Sequence, residues 1–192
     1  MNKHVSLSVN PKVSDWLEFR PSGRVILHTG KVNIGQHITS ALVLIAAEEL
    51  NIDPNQIAVA QTRTGSSPNE NYTVGSQSMQ HSGYAIKKAA ATARNELTVR
   101  AAKFFSVSVE QIKIEDGNLF IEKTNQSISY WELVKNAPLE CYVDETVDVK
   151  NHALHQLQGK HHIARGMWDI VTGKYEFIQD LKLPNMLHAR VI

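Results

Sequence analysis

A strand, a glycine-flanked turn and a helix follow one another in the first quarter of the chain. Residues 24–29 form an apolar run typical of a strand, Gly30 and Gly35 flank the turn, and apolar residues then recur at helical spacing over residues 38–50. Glycine permits a positive φ angle or a close approach of other atoms to the backbone. Because the first amides of a helix lack partners within the helix, this unit predicts a place where an anion can bind.

The composition is that of an ordinary globular protein, with 192 residues, 42% of them apolar, and a formal net charge of +1. This length accommodates one domain, or one domain with a short appendage. The near-neutral charge gives no reason to expect binding to nucleic acid or to an anionic membrane. The single cysteine, Cys141, excludes an internal disulfide and a cysteine-ligated iron–sulfur cluster within this chain.

The N-terminal residues carry no targeting signal that can be recognised. They have neither the apolar core of a secretory signal peptide nor a twin-arginine pair. Apolar runs also stay well short of the roughly 20 residues that a membrane span requires. We therefore expect a cytoplasmic protein that does not cross a membrane.

A helix–turn–strand pattern occurs twice. The sequence NIDPNQIAV follows the first helix, and SVSVEQIKI follows a long alanine-rich helix predicted at residues 78–105. Each copy has a capping residue with a glutamine three positions later, namely Asp53 with Gln56 and Ser108 with Gln111. The two copies predict an α+β fold in which two main helices pack on one mixed β-sheet.

Turn signals predict two β-hairpins. A Pro-Ser-Gly triplet at residues 21–23 separates an alternating strand at residues 15–19 from the strand at residues 24–29. An Asp-Gly pair at residues 116–117 precedes a strand at residues 118–122. A further short helix is expected after the capping residue Ser129, whereas residues 1–14 are expected to form an extended leader.

Three segments carry longer motifs. The first, GKVNIGQHITSALVLIAAEELNI, is similar to a G-K-V-E-x-G-Q-G-x-x-T motif and its helix, and the second, NYTVGSQSMQHSGYAIKKAAATAR, to a T-x-G-S-x-S segment. The third, VTGKYEFIQDLKLPNMLHARVI, is similar to the opening of an "a/b hammerhead" domain. Together they resemble the xanthine dehydrogenase/aldehyde oxidase family of molybdenum hydroxylases. Their order resembles that of the large subunit of the isoquinoline 1-oxidoreductase type.

The resemblance implies a function for the complete protein. It implies a molybdenum cofactor, molybdopterin cytosine dinucleotide, and hydroxylation of an aldehyde or N-heteroaromatic substrate with water as the oxygen source. It also implies a small partner subunit with [2Fe–2S] clusters and the remainder of a longer molybdenum subunit. This chain would be the N-terminal part of that subunit, would contribute part of the cofactor site, and would be inactive alone.

The same resemblance implies a division of the chain. Residues 1–137 correspond to part of a molybdopterin-binding α/β domain, and residues 138–162 to a linker. Residues 163–192 correspond to the truncated start of a hammerhead-type β unit, and residues 169–175 and 177–180 within it are short strand-like runs. The final residues read as a strand, and an unpaired strand edge favours pairing with another chain, so we expect possible self-association there.

Six residues correspond to the cofactor-binding motifs of the family. They are Gly35, Gln36, Thr73, Gly75, Ser76 and Ser78. Hydroxyl groups and backbone amides of this kind suit phosphate oxygens. His37 replaces the second glycine of the G-Q-G motif, and histidine is unfavourable there if the position requires a positive φ. No catalytic residue is assigned, because the family's catalytic glutamate lies near the far C-terminus of a much longer subunit.

Two functional hypotheses therefore stay open. Retention of the T-V-G-S-Q-S sequence favours a part of a molybdenum hydroxylase. His37 and the abrupt end of the chain instead favour a stand-alone interaction or vestigial module without redox chemistry. The downstream DNA would discriminate between them through the reading frame after Ile192.

Individual residues also have simpler interpretations. Gln36 could contact the cofactor or merely cap the first helix. His152 and His155, with a following pair of histidines, could bind zinc, but no cysteine or carboxylate stands at fixed spacing from them, and we assign no metal site. Glu48 and Glu49 are expected on a solvated helix face.

Overall fold

The computed structural model describes residues 4–135 and 137–192. They belong to two compact units, Met1–Lys160 and His161–Ile192. The helices are α1 (Val5–Val9), α2 (Ile38–Leu50), α3 (Tyr84–Phe105), α4 (Tyr130–Lys135) and α5 (Met167–Val171), and the strands are β1 (Leu17–Arg20), β2 (Arg24–Leu27), β3 (Ile57–Val59), β4 (Ile112–Glu115), β5 (Asn118–Ile121) and β6 (Ser127–Ser129). Short 3₁₀ turns lie at Val13–Asp15, Pro54–Gln56, Val109–Gln111, His152–Leu154 and Ile178–Asp180, and a π-helical turn spans Ser78–Gly83.

The first sheet has the strand order β1–β2–β3 and is mixed. β1 and β2 form the predicted antiparallel hairpin, with Leu17 opposite Leu27. β2 and β3 are parallel, with Val25 opposite Ile57. Parallel neighbours require a crossover connection, and α2 lies within it, as the strand–turn–helix pattern predicts.

The second sheet is antiparallel, with the order β4–β5–β6. Its Asp116–Gly117 turn takes φ angles of 45° and 73°, the left-handed values that a tight hairpin requires. The α+β class and the two main helices are confirmed, but the strands form two sheets and not one. The reason is that β4 pairs with its own hairpin partner, while the hairpin turn docks on the end of α2, where the Gly117 N–H donates to the Asn51 carbonyl at 3.2 Å.

The predicted turns of the repeat are confirmed in atomic detail. Gln56 Oε1 accepts the Asp53 backbone N–H at 3.2 Å, and Gln111 Oε1 accepts the Ser108 backbone N–H at 3.3 Å. The Ser129 hydroxyl accepts a backbone N–H at 3.2 Å from the first turn of α4, as expected for a capping residue. Local sequence alone determines these features.

The seam between α2 and α3 is a central part of the buried core of the first unit. Small side chains on both helices are fully buried and let the helices approach closely: Ala46, Ala47, Ala89, Ala90 and Ala93. A Cβ atom added at Gly83 would lie 3.3 Å from the Ile45 side chain, which is tighter than an ordinary contact. Close packing here fixes where the N-terminal ends of the two helical segments stand relative to each other.

The expected extended leader is wrong for residues 4–14, and residues 1–3 lie outside the described part of the chain. Residues 5–9 form α1, and residues 13–15 form a 3₁₀ turn. Leu7 and Val13 are buried in the core, so apolar burial favours this helical conformation over an extended chain.

Residues 137–158, which we call the strap, lie largely in the segment predicted as a linker. Leu139 and Val143 of the strap are buried in the core of the first unit. The backbone is also anchored at its start, because the Val143 N–H donates to the Pro11 carbonyl at 2.8 Å. The strap therefore packs as part of the first unit and is not a free linker.

Cationic side chains of α3 bind the carbonyl groups of the strap. Lys88 Nζ donates to the carbonyls of Glu145 at 2.8 Å and Val147 at 3.0 Å. Arg94 donates to the Asp148 carbonyl at 3.0 Å. These bonds satisfy carbonyl groups that an irregular segment would otherwise leave without partners.

The second unit contains α5 and a 3₁₀ turn, and the described part of it forms no strand. The strand-like runs that we expected at residues 169–175 and 177–180 are therefore not strands. A strand needs a neighbour for its backbone N–H and C=O groups, and the described part of this unit supplies none. Self-association through an edge strand remains an untested prediction, and its structural premise is not met. Among the described residues, no helix is sufficiently long and apolar to cross a membrane.

Candidate functional site

Two polar turns lie side by side at the N-terminal ends of the helical segments. We call residues 29–37 the first turn and residues 69–78 the second turn. Lys31 joins them: its side chain is only 1% exposed, and Nζ donates to the carbonyls of Glu70 at 2.6 Å and Tyr72 at 2.7 Å. The Val32 N–H also donates to Thr73 Oγ1 at 3.1 Å. The ammonium charge of Lys31 is thus used to hold the second turn in place.

A buried carboxylate reinforces this junction. Glu70 Oε2 accepts hydrogen bonds from the Thr29 hydroxyl and the Gly30 N–H, both at 2.8 Å. Its other oxygen, Oε1, is buried without a partner among the described residues. The turns approach so closely that a Cβ atom at Gly30 would stand 2.3 Å from the Pro68 carbonyl oxygen. Only glycine fits at this position without a backbone shift.

The predicted residues of the first turn have distinct roles. Gln36 is exposed and closes its own turn, because Oε1 accepts the Ile34 N–H at 2.6 Å and Nε2 donates to the Val32 carbonyl at 3.0 Å. Gly35 has a φ of 98°, and His37 has a φ of 53°. His37 therefore occupies the conformation that makes glycine the more favourable residue.

Gln36 does not cap α2. Asn33 performs this role, since its Oδ1 accepts the Thr39 N–H at 3.2 Å and its Nδ2 donates to the Thr39 hydroxyl at 2.8 Å. Gln36 therefore does not cap the helix, and its side chain instead closes the first turn.

The predicted residues of the second turn lie where the backbone is left-handed. Gly75 and Ser76 have φ angles of 60° and 57°, and both are exposed. Thr73 and Ser78 are half-buried, and Ser78 begins the π-helical turn. Left-handed residues beside right-handed ones turn successive N–H groups toward a concave surface that suits anions, and π-helical turns occur often at functional sites.

All six predicted residues therefore lie on two turns that are bonded to each other. Their donors are neutral hydroxyl and amide groups, and the buried Lys31 and Glu70 beneath them fix the backbone that presents these donors. Apolar side chains surround the donors and are exposed, including Tyr72 at 81% and Ile34 at 71%. Neutral hydroxyl and amide donors of this kind can hold the phosphate oxygens of an anionic ligand.

The expectation that Glu48 and Glu49 form a solvated face is wrong. Their exposed fractions are 2% and 1%. The Glu48 carboxylate accepts from the Lys150 ammonium at 2.7 Å, and three strap amides donate to it at 2.7 to 3.2 Å: Gln156, Leu157 and Gln158. Burial alone would raise the pKa of Glu48, but the hydrogen bonds from Lys150 and these amides lower it to about 2.

Glu49 anchors the strap at a second point. Its Oε2 accepts from Arg94 at 3.0 Å and from the Lys150 N–H at 2.9 Å. A sequence signal existed for both carboxylates, because they stand between buried alanines and Leu50 on a helix that is otherwise apolar. Buried carboxylates in such a position require partners from elsewhere in the chain.

The histidines of the strap are engaged in local bonds. Both ring nitrogens of His155 lie beside oxygens of the strap, Nε2 at 3.1 Å from the Lys150 carbonyl and Nδ1 at 2.8 Å from Gln158 Oε1. Among the described residues, no three His, Cys, Asp or Glu side chains are arranged to hold a metal ion.

Comparison with known proteins places these features in a family. Residues 3–177 match the family model described as "Molybdopterin cofactor-binding domain". The chain is 31% identical to a nicotinate dehydrogenase subunit of Pseudomonas putida over 98% of its own length and 16% of that protein. It is 23% identical to the beta subunit of isoquinoline 1-oxidoreductase of Brevundimonas diminuta over 96% of the chain and 28% of that protein.

Solved structures support the fold. CO dehydrogenase from Oligotropha carboxidovorans superposes with a TM-score of 0.57 at 22% identity, over 68% of this chain and 18% of that one. The chain thus spans less than a third of the length of each of these relatives. The family match covers both turns and the α2–α3 seam that positions them, and the chain belongs to the molybdopterin cofactor-binding domain family, whose cofactor is a molybdenum-bearing pterin.

Proposed function

We propose that this chain is the N-terminal part of a molybdenum hydroxylase large subunit and that its two turns hold part of molybdopterin cytosine dinucleotide. The residues concerned are Gly35, Gln36, Thr73, Gly75, Ser76 and Ser78. The observation that carries this proposal is the junction in which Lys31 and the Val32–Thr73 bond fix the two turns against each other. Preformed donors lose little conformational entropy when a ligand binds.

The chain's own residues would bind and orient the cofactor. The hydroxyls of Ser76 and Ser78 and the amides around Gly75 are suited to phosphate oxygens, whereas Thr73 Oγ1 is already an acceptor for the Val32 N–H. Gln36 would contact the ligand only in competition with its two bonds inside the first turn. When bound, the cofactor would supply molybdenum for hydroxylation with an oxygen atom from water.

The remaining functions belong to other segments of the assembly. We propose that the rest of the molybdenum subunit supplies the catalytic glutamate and the pocket for an aldehyde or N-heteroaromatic substrate. A small subunit with [2Fe–2S] clusters would carry the electrons away, and the assembly would be cytoplasmic. Support comes from two relatives whose names describe them as subunits, and from the exposed apolar side chains around the turns.

The test uses the purified chain and cytidine diphosphate, which presents the nucleotide half of the cofactor. We expect weak binding by equilibrium dialysis, with a dissociation constant on the order of millimolar. Replacing both Ser76 and Ser78 by alanine should weaken binding about tenfold, because two hydroxyl donors are removed. The control Ser22→Ala changes an exposed serine in the β1–β2 turn and should leave binding unchanged.

Three results would count against the proposal. Equal binding by the wild type and the Ser76/Ser78 double variant would remove these hydroxyls from the site. Copurification of about one molybdenum atom per chain, together with reduction of an electron-accepting dye, would contradict a part that is inactive alone. If cytidine diphosphate does not bind at all, the stand-alone interaction module becomes the better hypothesis.

A further inference from the structure

The two residues that flank α1, His4 and Asn10, contact both ends of the loop that contains the second turn. At one end, Asn10 Nδ2 donates to the Asn69 carbonyl at 3.1 Å, and the Asn69 N–H donates back to Asn10 Oδ1 at 3.2 Å. At the other end, the His4 ring packs on the His81 ring with centroids 5.2 Å apart. Residues 69–81, with the cofactor-binding positions between them, are therefore held at both ends by one short element.

The Asn10 end is rigid because its own side chain and backbone are fixed. Asn10 is buried, and Nδ2 also donates to the Ser6 carbonyl at 3.2 Å. Its carbonyl accepts from the fully buried Trp16 indole at 3.0 Å. Because Asn10 is bonded to the core residue Trp16 and also to Asn69, it fixes the backbone at Asn69 relative to the core. Asn69 directly precedes the buried Glu70.

The His4 end is a stack of three rings beside a carboxylate. His4 lies 4.5 Å from the Tyr84 ring, and the Tyr84 hydroxyl donates to Glu145 Oε2 at 3.0 Å. The Nδ1 atoms of His4 and His81 are both buried without a hydrogen-bond partner among the described residues. A neutral imidazole tolerates such a site, but an imidazolium would place a buried N–H there without an acceptor.

We propose that α1 is a brace that positions the second turn for its anionic ligand, with Asn10 and His4 as the positioning residues at its two ends. The proposed binding role of the second turn is the basis of this inference. The brace holds Gly75 and Ser76 in their left-handed conformation and holds Ser78 at the start of the π-helical turn. Because one end depends on an uncharged His4 ring, acidification opens that end.

The charges around His4 give the direction of the pH dependence. Burial lowers the pKa of His4, the neighbouring His81 lowers it further, and Glu145 partly opposes them. Lys88, whose ammonium donates to the Glu145 carbonyl, is a further charged group here among the described residues. Since the folded-state pKa lies below the ordinary value of 6.5, the stack is fully stable above that pH and weakens as the pH falls through the folded-state pKa.

The test is amide hydrogen exchange of residues 70–78, expressed as protection factors, in the chain without ligand. In the wild type, protection should fall about tenfold between about pH 7.5 and about pH 5, while the β4–β5 hairpin keeps its protection. His4→Phe keeps a ring in the stack but cannot be protonated, so this pH dependence should disappear. Asn10→Ala should reduce protection about tenfold at both pH values.

Matched controls isolate the brace. His152→Phe replaces another histidine in a ring pair, and Asn118→Ala removes an exposed asparagine; both should exchange like the wild type. A pH-independent wild type, a pH dependence that survives in His4→Phe, or an equal loss in the β4–β5 hairpin of Asn10→Ala would each overturn the inference. Cytidine diphosphate binding is measured separately, so a working brace without ligand binding would refute the proposed function alone.

Discussion

Replacement of Glu48 by glutamine should cause a large, pH-dependent loss of stability. The carboxylate is buried and accepts hydrogen bonds from one ammonium group and three strap amides. Its pKa is about 2 in the folded chain against an ordinary value of 4.5. A difference of this size corresponds to roughly 3 kcal/mol of folding free energy at neutral pH. In Glu48→Gln the charge is absent, and the new amide donor faces the strap amides.

The assay is urea unfolding of the wild type and Glu48→Gln at several pH values. Because the folded-state pKa is depressed, the contribution of Glu48 is complete above about pH 4.5 and is lost as the pH falls toward about 2. The difference between the two proteins should therefore be about 3 kcal/mol at pH 7 and should shrink in acid. Glu122→Gln, at an exposed position, is the control and should change stability by less than about 0.5 kcal/mol. A difference below about 1 kcal/mol at pH 7, or one that does not shrink in acid, would refute the reasoning.

Three further substitutions test the junction of the turns by thermal or urea unfolding. Lys31→Met leaves two carbonyls of the second turn without their donor and should lower the free energy of unfolding by about 2–3 kcal/mol. The exposed control Lys113→Met should be nearly neutral. An unchanged stability of Lys31→Met would contradict the junction. Gly30→Ala places a Cβ against the Pro68 carbonyl and should cost about 1–3 kcal/mol, so an unchanged midpoint would mean that the turns are looser than described. His37→Gly relieves a left-handed histidine and should stabilise the chain by about 1 kcal/mol, and a destabilised variant would show that the imidazole makes a favourable contact.

Local signals in the sequence predicted what local physics determines. The Asp-Gly pair at residues 116–117 specified a tight hairpin, and the capping residues Asp53 and Ser108 specified the two short turns. The two main helices followed from their apolar and alanine patterns. In each case, the atoms that stabilise the feature lie within a few residues of one another.

Long-range partners could not be predicted in the same way. Glu48 and Lys150 are about a hundred positions apart, and the helical pattern alone made Glu48 look solvated. The single-sheet prediction failed because it ignored the hairpin turn that docks on Asn51. The leader prediction failed because α1 depends on Leu7 and Val13 finding the core.

The candidate site lies between these two cases. The family motifs selected the six residues on the turns. The sequence also indicated that histidine at position 37 is unfavourable if the backbone there has a positive φ, and His37 does have a positive φ. The motifs gave no sign that Lys31 and Glu70 form the junction, because their role depends on a backbone 40 positions away. The partners of Lys31 and Glu70 can be identified only once the fold brings the two turns together.

The central claim is that the two turns together bind the phosphate-bearing half of the cofactor. Amide chemical shifts, followed residue by residue while cytidine diphosphate is added to the isolated chain, test this claim most directly. We predict that the largest changes fall on residues 35–37 and 73–78, with little change in the β4–β5 hairpin. Changes confined to other parts of the chain, with both turns unaffected at saturating ligand, would contradict it.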